Sequence, residues 1–400
     1  MNKTLVIVGA GTGGLAIASS ILSCKSSHEL DVVIIDPSAN HYYQPQWTMV
    51  GAGLFPKERT QVLTKTLIPR KAKWVQESVQ SIDPAGKTIE FSNATTMSYD
   101  YLIIAAGLNL DWSKITGLEA SMGKNGVCSN YSYATVDSTW NAIQSIEQGN
   151  AIFTFPPPPI KCAGAPQKIM YLAEHYFRKK SIRNNIDIRY FCAGKSIFAV
   201  EKYKATLDRI CEDRHIDTQF NWNLTAVIGE SQEAVFTNMD TGETRCEDYD
   251  LLHVTPPMSA PKFIKDSGLG NKSGFVSVDA KTLQHEVYPD IFSLGDASSL
   301  PTSKTAAAIR AQMPVLKNNF FAHVNGRNLS AEYDGYSSCP LVTGYNSAVL
   351  AEFDYQLEPR ETFPFNQAKE RFSMYFLKKH LMPVLYWKAL IRGKRWPTIL

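Results

Sequence analysis

KTLVIVGAGTGGLAIASSIL, residues 3–22, decides the fold. An apolar run of strand type leads into Gly9-x-Gly11-x-x-Gly14, and a stretch of small and apolar residues with helical spacing follows. Gly9 permits the tight turn, Gly11 lets the backbone approach a pyrophosphate, and Gly14 lets helix and strand pack closely. Free N–H groups at the start of the helix then hold the phosphates. A second strand, DVVIID, ends in Asp36, about 20 residues further on, where a carboxylate can accept from the ribose hydroxyls of an adenosine half. GLGNKSG at Gly268 has similar glycines but no strand ahead of it, and is read as a polar loop.

Working outward, 400 residues leave room for two or three domains, and 44% hydrophobic residues can fill a core. The net charge is +3 and the basic residues cluster only at the C-terminal end, so nucleic acid is not an expected partner. No basic and apolar leader precedes the first strand, which predicts no secretory signal. Seven cysteines form no C-x-x-C pair and no zinc or haem spacing, so neither a disulfide scaffold nor a bound metal is expected. Nothing repeats at a fixed period, which excludes a solenoid.

The predicted fold class is α/β, with two Rossmann-like dinucleotide-binding domains and a C-terminal helical and β segment. Residues 1–111 and 279–328 form the first, discontinuous domain; 112–278 the second; 329–400 the last segment. In the first, YDYLIIAAG is a buried strand closed by Gly107, and a strand ending in Gly295-Asp296 precedes a long helix. Thr302 or Ser303 is the expected cap of that helix, with Lys304 adding positive charge. Asp36, Gly295-Asp296 and this helix resemble the FAD signature of the two-dinucleotide-binding-domain flavoproteins. That resemblance implies FAD, with Asp296 on the ribityl chain and the helix N-terminus facing the flavin ring.

Where the NAIFTF strand of the second domain ends, a second glycine loop would be needed to bind a nicotinamide nucleotide. The chain has Pro156–Pro159 instead, and proline supplies no N–H donor. Electrons therefore enter or leave by another route. Cys162 lies just ahead of the helical run QKIMYLAEHYF. A helix start contributes about 0.3–1 kcal/mol to a thiolate, less than the roughly 1.36 kcal/mol of one pKa unit, but Lys161 and Lys168 add to it. Cys339, in a loop-like GYSSCPLVTGY, is the comparable cysteine elsewhere. The other cysteines are read as small buried hydrophobes, with a redox role for Cys128 left open.

FPPPPIKCAGAPQKIMYLAEHYF, LLHVTPPMS, LPTSKTAAA, SSCPLVTGYNSAVLAEFDY and ETFPFNQAKERFSMY together resemble sulfide:quinone oxidoreductase, in the branch that includes the mitochondrial enzyme. The resemblance spans essentially the whole chain. It implies that Cys162 and Cys339 are a redox pair, that Gly9, Gly11, Gly13, Gly14, Asp36, Gln44, Gly107 and Asp296 hold FAD, and that Val79 meets the adenine end through its backbone. Lys304 and Lys369 are expected near the flavin, Lys369 also near the quinone. Ala297 departs from the cysteine of mitochondrial relatives.

The implied reaction begins with hydrosulfide attacking the Cys162–Cys339 bridge, with the persulfide expected on Cys162 and the thiolate on Cys339. Electrons go to ubiquinone or menaquinone, and sulfane sulfur to sulfite, glutathione or sulfide. RFSMYFLKKHLMPVLYWKALIRGKRW is too short in its apolar runs to span a bilayer. It is expected to lie on a membrane surface as two short helices broken at Pro383, with Lys378, Lys379, Lys388, Arg392, Lys394 and Arg395 on lipid headgroups. The expected place is the cytoplasmic face of a bacterial inner membrane, or the mitochondrial inner membrane for a trimmed eukaryotic chain; a homo-oligomer is compatible with either. An NADH-fed quinone reductase and a non-catalytic flavoprotein are the alternatives.

Overall fold

The computed structural model describes residues 2–394. Its first sheet has five parallel strands in the order Ile291–Ser293, Tyr101–Ile104, Lys3–Val8, Leu30–Ile35, Ala72–Val75. The helices Thr12–Leu22 and Ala306–Val324 pack on it beside each other, and an antiparallel sheet of Val79–Asp83, Thr88–Phe91 and Thr96–Ser98 shares its core, so the strands are largely apolar and do not alternate. Leu5, Val6, Ile7 and Leu102–Ile104 are wholly buried. Val8 pairs with both Ile35 and Ile104, so the chain leaves these strands at one edge, bringing Gly9, Asp36 and Ala105 together. Ser293 pairs with Ile104 in the same register, which delivers Gly295-Asp296 to that edge from a distant part of the sequence. Ligands of open parallel sheets bind at this carboxyl edge.

Thr12–Leu22 is the helix after the glycine loop, and Ala306–Val324 packs beside it. The latter starts later than expected: its cap is Thr305, whose Oγ1 accepts from Ala308 N at 3.1 Å. Lys304 is held extended by a β-bridge to Lys161, so helical geometry cannot begin at residue 302 or 303.

The second sheet is also parallel and five-stranded: Val127–Cys128, Leu251–His253, Gly149–Phe155, Ile186–Cys192, Ile216–Phe220. An antiparallel hairpin, Ser337–Gly344 and Ser347–Phe353, packs on the Ala165–Lys179 helix of this domain, with Cys339 opposite Ala351.

The C-terminal stretch corrects two expectations. The chain stays helical across Pro383: Leu377–Leu381 form a π turn that runs directly into the Met382–Lys388 helix, and Pro383 lies at that junction. One side of the stretch is also core. Tyr386, Leu390 and Ile391 are buried with the first sheet, and Lys378 is 5% exposed, its Nζ donating to Pro45 O at 2.9 Å, so Lys378 cannot lie on headgroups. Arg395 lies outside the described residues. No described helix is long and apolar enough to cross a membrane.

Candidate active site

A cleft of about 440 Å3 runs along the carboxyl edge of the first sheet and reaches under the C-terminal hairpin and helices. Its floor is the glycine loop. A side chain at Gly9 would place Cβ 2.4 Å from Ala105 O, and one at Gly14 would place it 1.8 Å from Gly9 O; both positions are closed by backbone. At Gly11 a Cβ would meet nothing within 4 Å, so here the backbone faces open space, as a site for a diphosphate requires. Gly13, Gly107 and Asp36 line the same cleft. Asp36 Oδ2 accepts from Ala10 N at 2.6 Å and Oδ1 from Ser38 N at 2.8 Å, which fixes the carboxylate at the strand end. These residues fit a dinucleotide cofactor.

Asp296 lines the opposite part of the cleft with Lys304 and Lys161. Burial pushes the Asp296 carboxyl above the usual carboxylate range, against the pull of both ammonium groups. The same burial draws each lysine down to about 8. Lys304 does not project freely: its Nζ donates to Asp296 O at 2.8 Å and Ser298 O at 3.0 Å, clamping the aspartate's own loop. Gln44 Oε1 accepts from Lys161 Nζ at 2.7 Å across the cleft.

The proline loop is what brings the cysteines here. Leaving the Gly149–Phe155 strand, the chain crosses to the first domain, where Cys162 N donates to Lys304 O at 2.9 Å, before entering the Ala165–Lys179 helix. Cys162 holds a left-handed φ of 54° in that turn and lines the cleft. Its Sγ lies 3.6 Å from Cys339 Sγ, a thiol 177 residues away in the chain. Lys168, in the first turn of the Ala165–Lys179 helix and 3% exposed, donates to Cys162 Sγ at 3.2 Å.

The pair is electrostatically unequal. Cys162 accepts from the Cys339 thiol and faces Lys168, so it titrates well below an ordinary thiol. Cys339, donating to that thiolate and fully buried, is pushed well up. Burial opposes the charge of Lys168, but the facing sulfur outweighs it and raises the lysine. Lys378 also lines the cleft, and burial, reinforced by Lys168, draws it down to about 7. This arrangement can hold one thiolate beside the cleft and stabilise it as a leaving group or nucleophile.

Two expected residues, Lys369 and Val79, and Cys128, whose role the sequence left open, sit elsewhere. Lys369 is exposed and does not line the cleft; the lysine this region supplies is Lys378, which the sequence placed on lipid headgroups with the other basic residues of the C-terminal stretch. Val79 begins a three-stranded antiparallel sheet, partly buried against the core and off the cleft wall. Cys128 is wholly buried on the edge of the second sheet, its thiol pushed up to about 12 by burial. His41 and Tyr386, which meet at the glycine loop, carried no local signal. Among the described residues no cluster could hold a metal ion.

The model of the pyridine nucleotide-disulphide oxidoreductase family matches residues 3–145. The chain is 45% identical over 390 residues to the mitochondrial sulfide:quinone oxidoreductase of Mus musculus, covering 97% of this chain and 86% of that protein. It is 45% identical over 394 residues to the protein of the same name from Dictyostelium discoideum, covering 98% and 86%. The solved sulfide:quinone oxidoreductase of Aquifex aeolicus superposes with a TM-score of 0.82 at 19% identity, covering 99% of this chain and 93% of that one.

Proposed function

Because the chain belongs to the sulfide:quinone oxidoreductase family, we propose that Cys162 and Cys339 are the redox pair through which it oxidises sulfide. The protein is a flavin-dependent enzyme that oxidises sulfide with a quinone as electron acceptor. The observation that carries the cysteine assignment is the 3.6 Å approach of two sulfurs beside Lys168 at the cleft. FAD is the flavin we assign, its diphosphate on the backbone at Gly11, its ribose at Asp36, and Asp296 at its other half.

Hydrosulfide attacks one sulfur of the bridge; the S–S bond breaks as the new one forms, leaving a persulfide on the attacked cysteine and a thiolate on the other. The lower-pKa thiol leaves faster, and Lys168 makes that Cys162. We therefore assign the persulfide to Cys339 and the thiolate to Cys162, the reverse of the expectation from sequence. A nucleophilic acceptor such as sulfite, glutathione or sulfide then takes the outer sulfur from Cys339. A flavin held in the cleft would supply the two-electron acceptor that re-forming the bridge from the two thiolates requires, and the link to quinone. Lys168 holds positive charge beside the thiolate, Lys378, drawn down to about 7, can give up a proton there, and Lys304 keeps the Asp296 loop in place.

Phe372, Phe376 and Val384 are 65%, 52% and 53% exposed on the outer side of the C-terminal helices. We assign this apolar stripe to the surface of the quinone-bearing membrane, attached to one leaflet; a bacterial inner membrane and the mitochondrial inner membrane both carry such a quinone pool. Anaerobic rapid mixing tests the reading. Sulfide should bleach the flavin of the native enzyme, and Cys339→Ser should abolish the bleaching. Bleaching at the native rate in that variant, or by NADH in place of sulfide, refutes it.

A further inference from the structure

The helices that carry the outer apolar stripe also form a wall of the dinucleotide cleft. Met382, Leu385, Tyr386 and Leu390 line it from above the glycine loop. The attachment continues along the Thr12–Leu22 helix. Ser19 Oγ donates to Ile391 O at 3.0 Å, and a side chain at Gly393 would place Cβ 2.3 Å from Ser20 N. The Tyr386 ring lies 4.3 Å from that of Tyr43 and is 2% exposed.

Its hydroxyl makes the informative contacts. It is 2.8 Å from Thr12 Oγ1 and 2.7 Å from His41 Nε2, and His41 Nδ1 is 3.0 Å from Ala10 O. One assignment of hydrogens satisfies all three. The carbonyl of Ala10 can only accept, so His41 Nδ1–H donates to it. Nε2 is then the acceptor of the neutral ring, Tyr386 O–H donates to Nε2, and Thr12 O–H donates to Tyr386 Oη. His41 is 4% exposed, which favours that neutral ring. The circuit leaves the glycine loop at Thr12 and returns at Ala10, the two residues that flank Gly11, where the backbone faces the open cleft.

We propose that Tyr386 is a positioning residue of the flavin nucleotide site, holding the loop around Gly11 in its binding shape through Thr12 and His41. The C-terminal helices then retain the cofactor as well as facing outward. The proposal rests on the flavin reading of the cleft and adds residues outside the glycine fingerprint to it. The physical reason is local. Without the Tyr386 hydroxyl, the buried His41 Nε2 and the half-buried Thr12 Oγ1 lose their partner, and the loop no longer has a fixed point on either side of Gly11.

The test follows flavin release from the purified holoenzyme by the fluorescence of the freed flavin after dilution. Tyr386→Phe keeps the ring and removes the hydroxyl, and should speed release about tenfold, the scale of one buried hydrogen bond. Thr12→Val should do the same. Because Tyr386→Phe already breaks the contact to Thr12, the double variant should release little faster than Tyr386→Phe alone. Tyr345→Phe removes a hydroxyl bonded to Ala52 O at 3.0 Å and should leave release unchanged. Native release from Tyr386→Phe, a multiplicative effect in the double variant, or equal acceleration in Tyr345→Phe overturns the proposal. A native chain purified without flavin and unable to take it up refutes instead the cofactor reading beneath it.

Discussion

Replacing Lys168 with Met should strip Cys162 of its thiolate character. The ammonium lies 3.2 Å from the sulfur, and at an effective dielectric constant of about 20 two unit charges at that distance attract by about 5 kcal/mol. That gross figure is an upper bound, since the lysine is 3% exposed and its charge is costly to bury. Hydrogen bonds to charged groups are worth about 1.5–3 kcal/mol net, or about one to two pKa units. The Cys339 thiol donates to the same sulfur and remains in the variant, so the lower half of that range is expected.

Alkylation of the reduced enzyme with iodoacetamide across pH, read on the Cys162 peptide by mass spectrometry, measures the shift directly. Lys168→Met should move the midpoint up by about one unit, and Lys168→Arg by less. The sign carries over to stability. A thiol whose pKa is depressed by folding contributes stability that is full above its unfolded value and lost as pH falls through the folded one. The reduced enzyme should therefore lose stability as pH drops through the lowered Cys162 value, and Lys168→Met should weaken that dependence without removing it, since the Cys339 thiol still donates to the sulfur. A midpoint that Lys168→Met leaves in place refutes the electrostatic assignment, and with it the placing of the persulfide on Cys339.

The closeness of the two sulfurs depends on Gly164. A Cβ there would lie 2.5 Å from Cys339 Sγ and 2.3 Å from Leu341 Cδ2, so Gly164→Ala should destabilise the fold by about 1–3 kcal/mol and leave two titratable thiols after oxidation; a protected pair would count against the geometry. Gly14→Ala drives Cβ onto the Gly9 carbonyl, and the purified variant should hold little flavin by its visible absorbance. Lys378→Met should slow reoxidation of the reduced enzyme by a quinone analogue while Lys369→Ala leaves it unchanged, and the opposite ranking would restore the expectation from sequence. Replacing Phe372 and Phe376 together with Ser should weaken vesicle flotation at least tenfold, given about 1.5–3 kcal/mol for each fully buried side chain; undiminished flotation would take the stripe off the membrane.

The glycine spacing, the apolar strands and Asp36 were enough to place four of the five strands of the first sheet and its cofactor edge, because each acts over a few residues of backbone. The edge strand Ala72–Val75 was not read as part of that sheet. The cysteines were singled out by the missing glycine loop and by their motifs. Gly295-Asp296 was legible for the same local reason, although the sheet joins it to Tyr101–Ile104 across a long stretch of chain.

What tertiary structure alone decided is the meaning of the lysines and of the C-terminus. Lys369 and Lys378 stand nine residues apart in one basic and aromatic stretch, and composition gives no means of telling which turns inward; packing against Pro45 buries the second. Which sulfur is the thiolate likewise depends on a lysine brought round by a helix to one of two cysteines. Tyr386 reaches the glycine loop from the far end of the chain. Periodicity records which residues share a face, but a contact between distant residues exists only once both domains have folded and the chain has closed over the cleft they form.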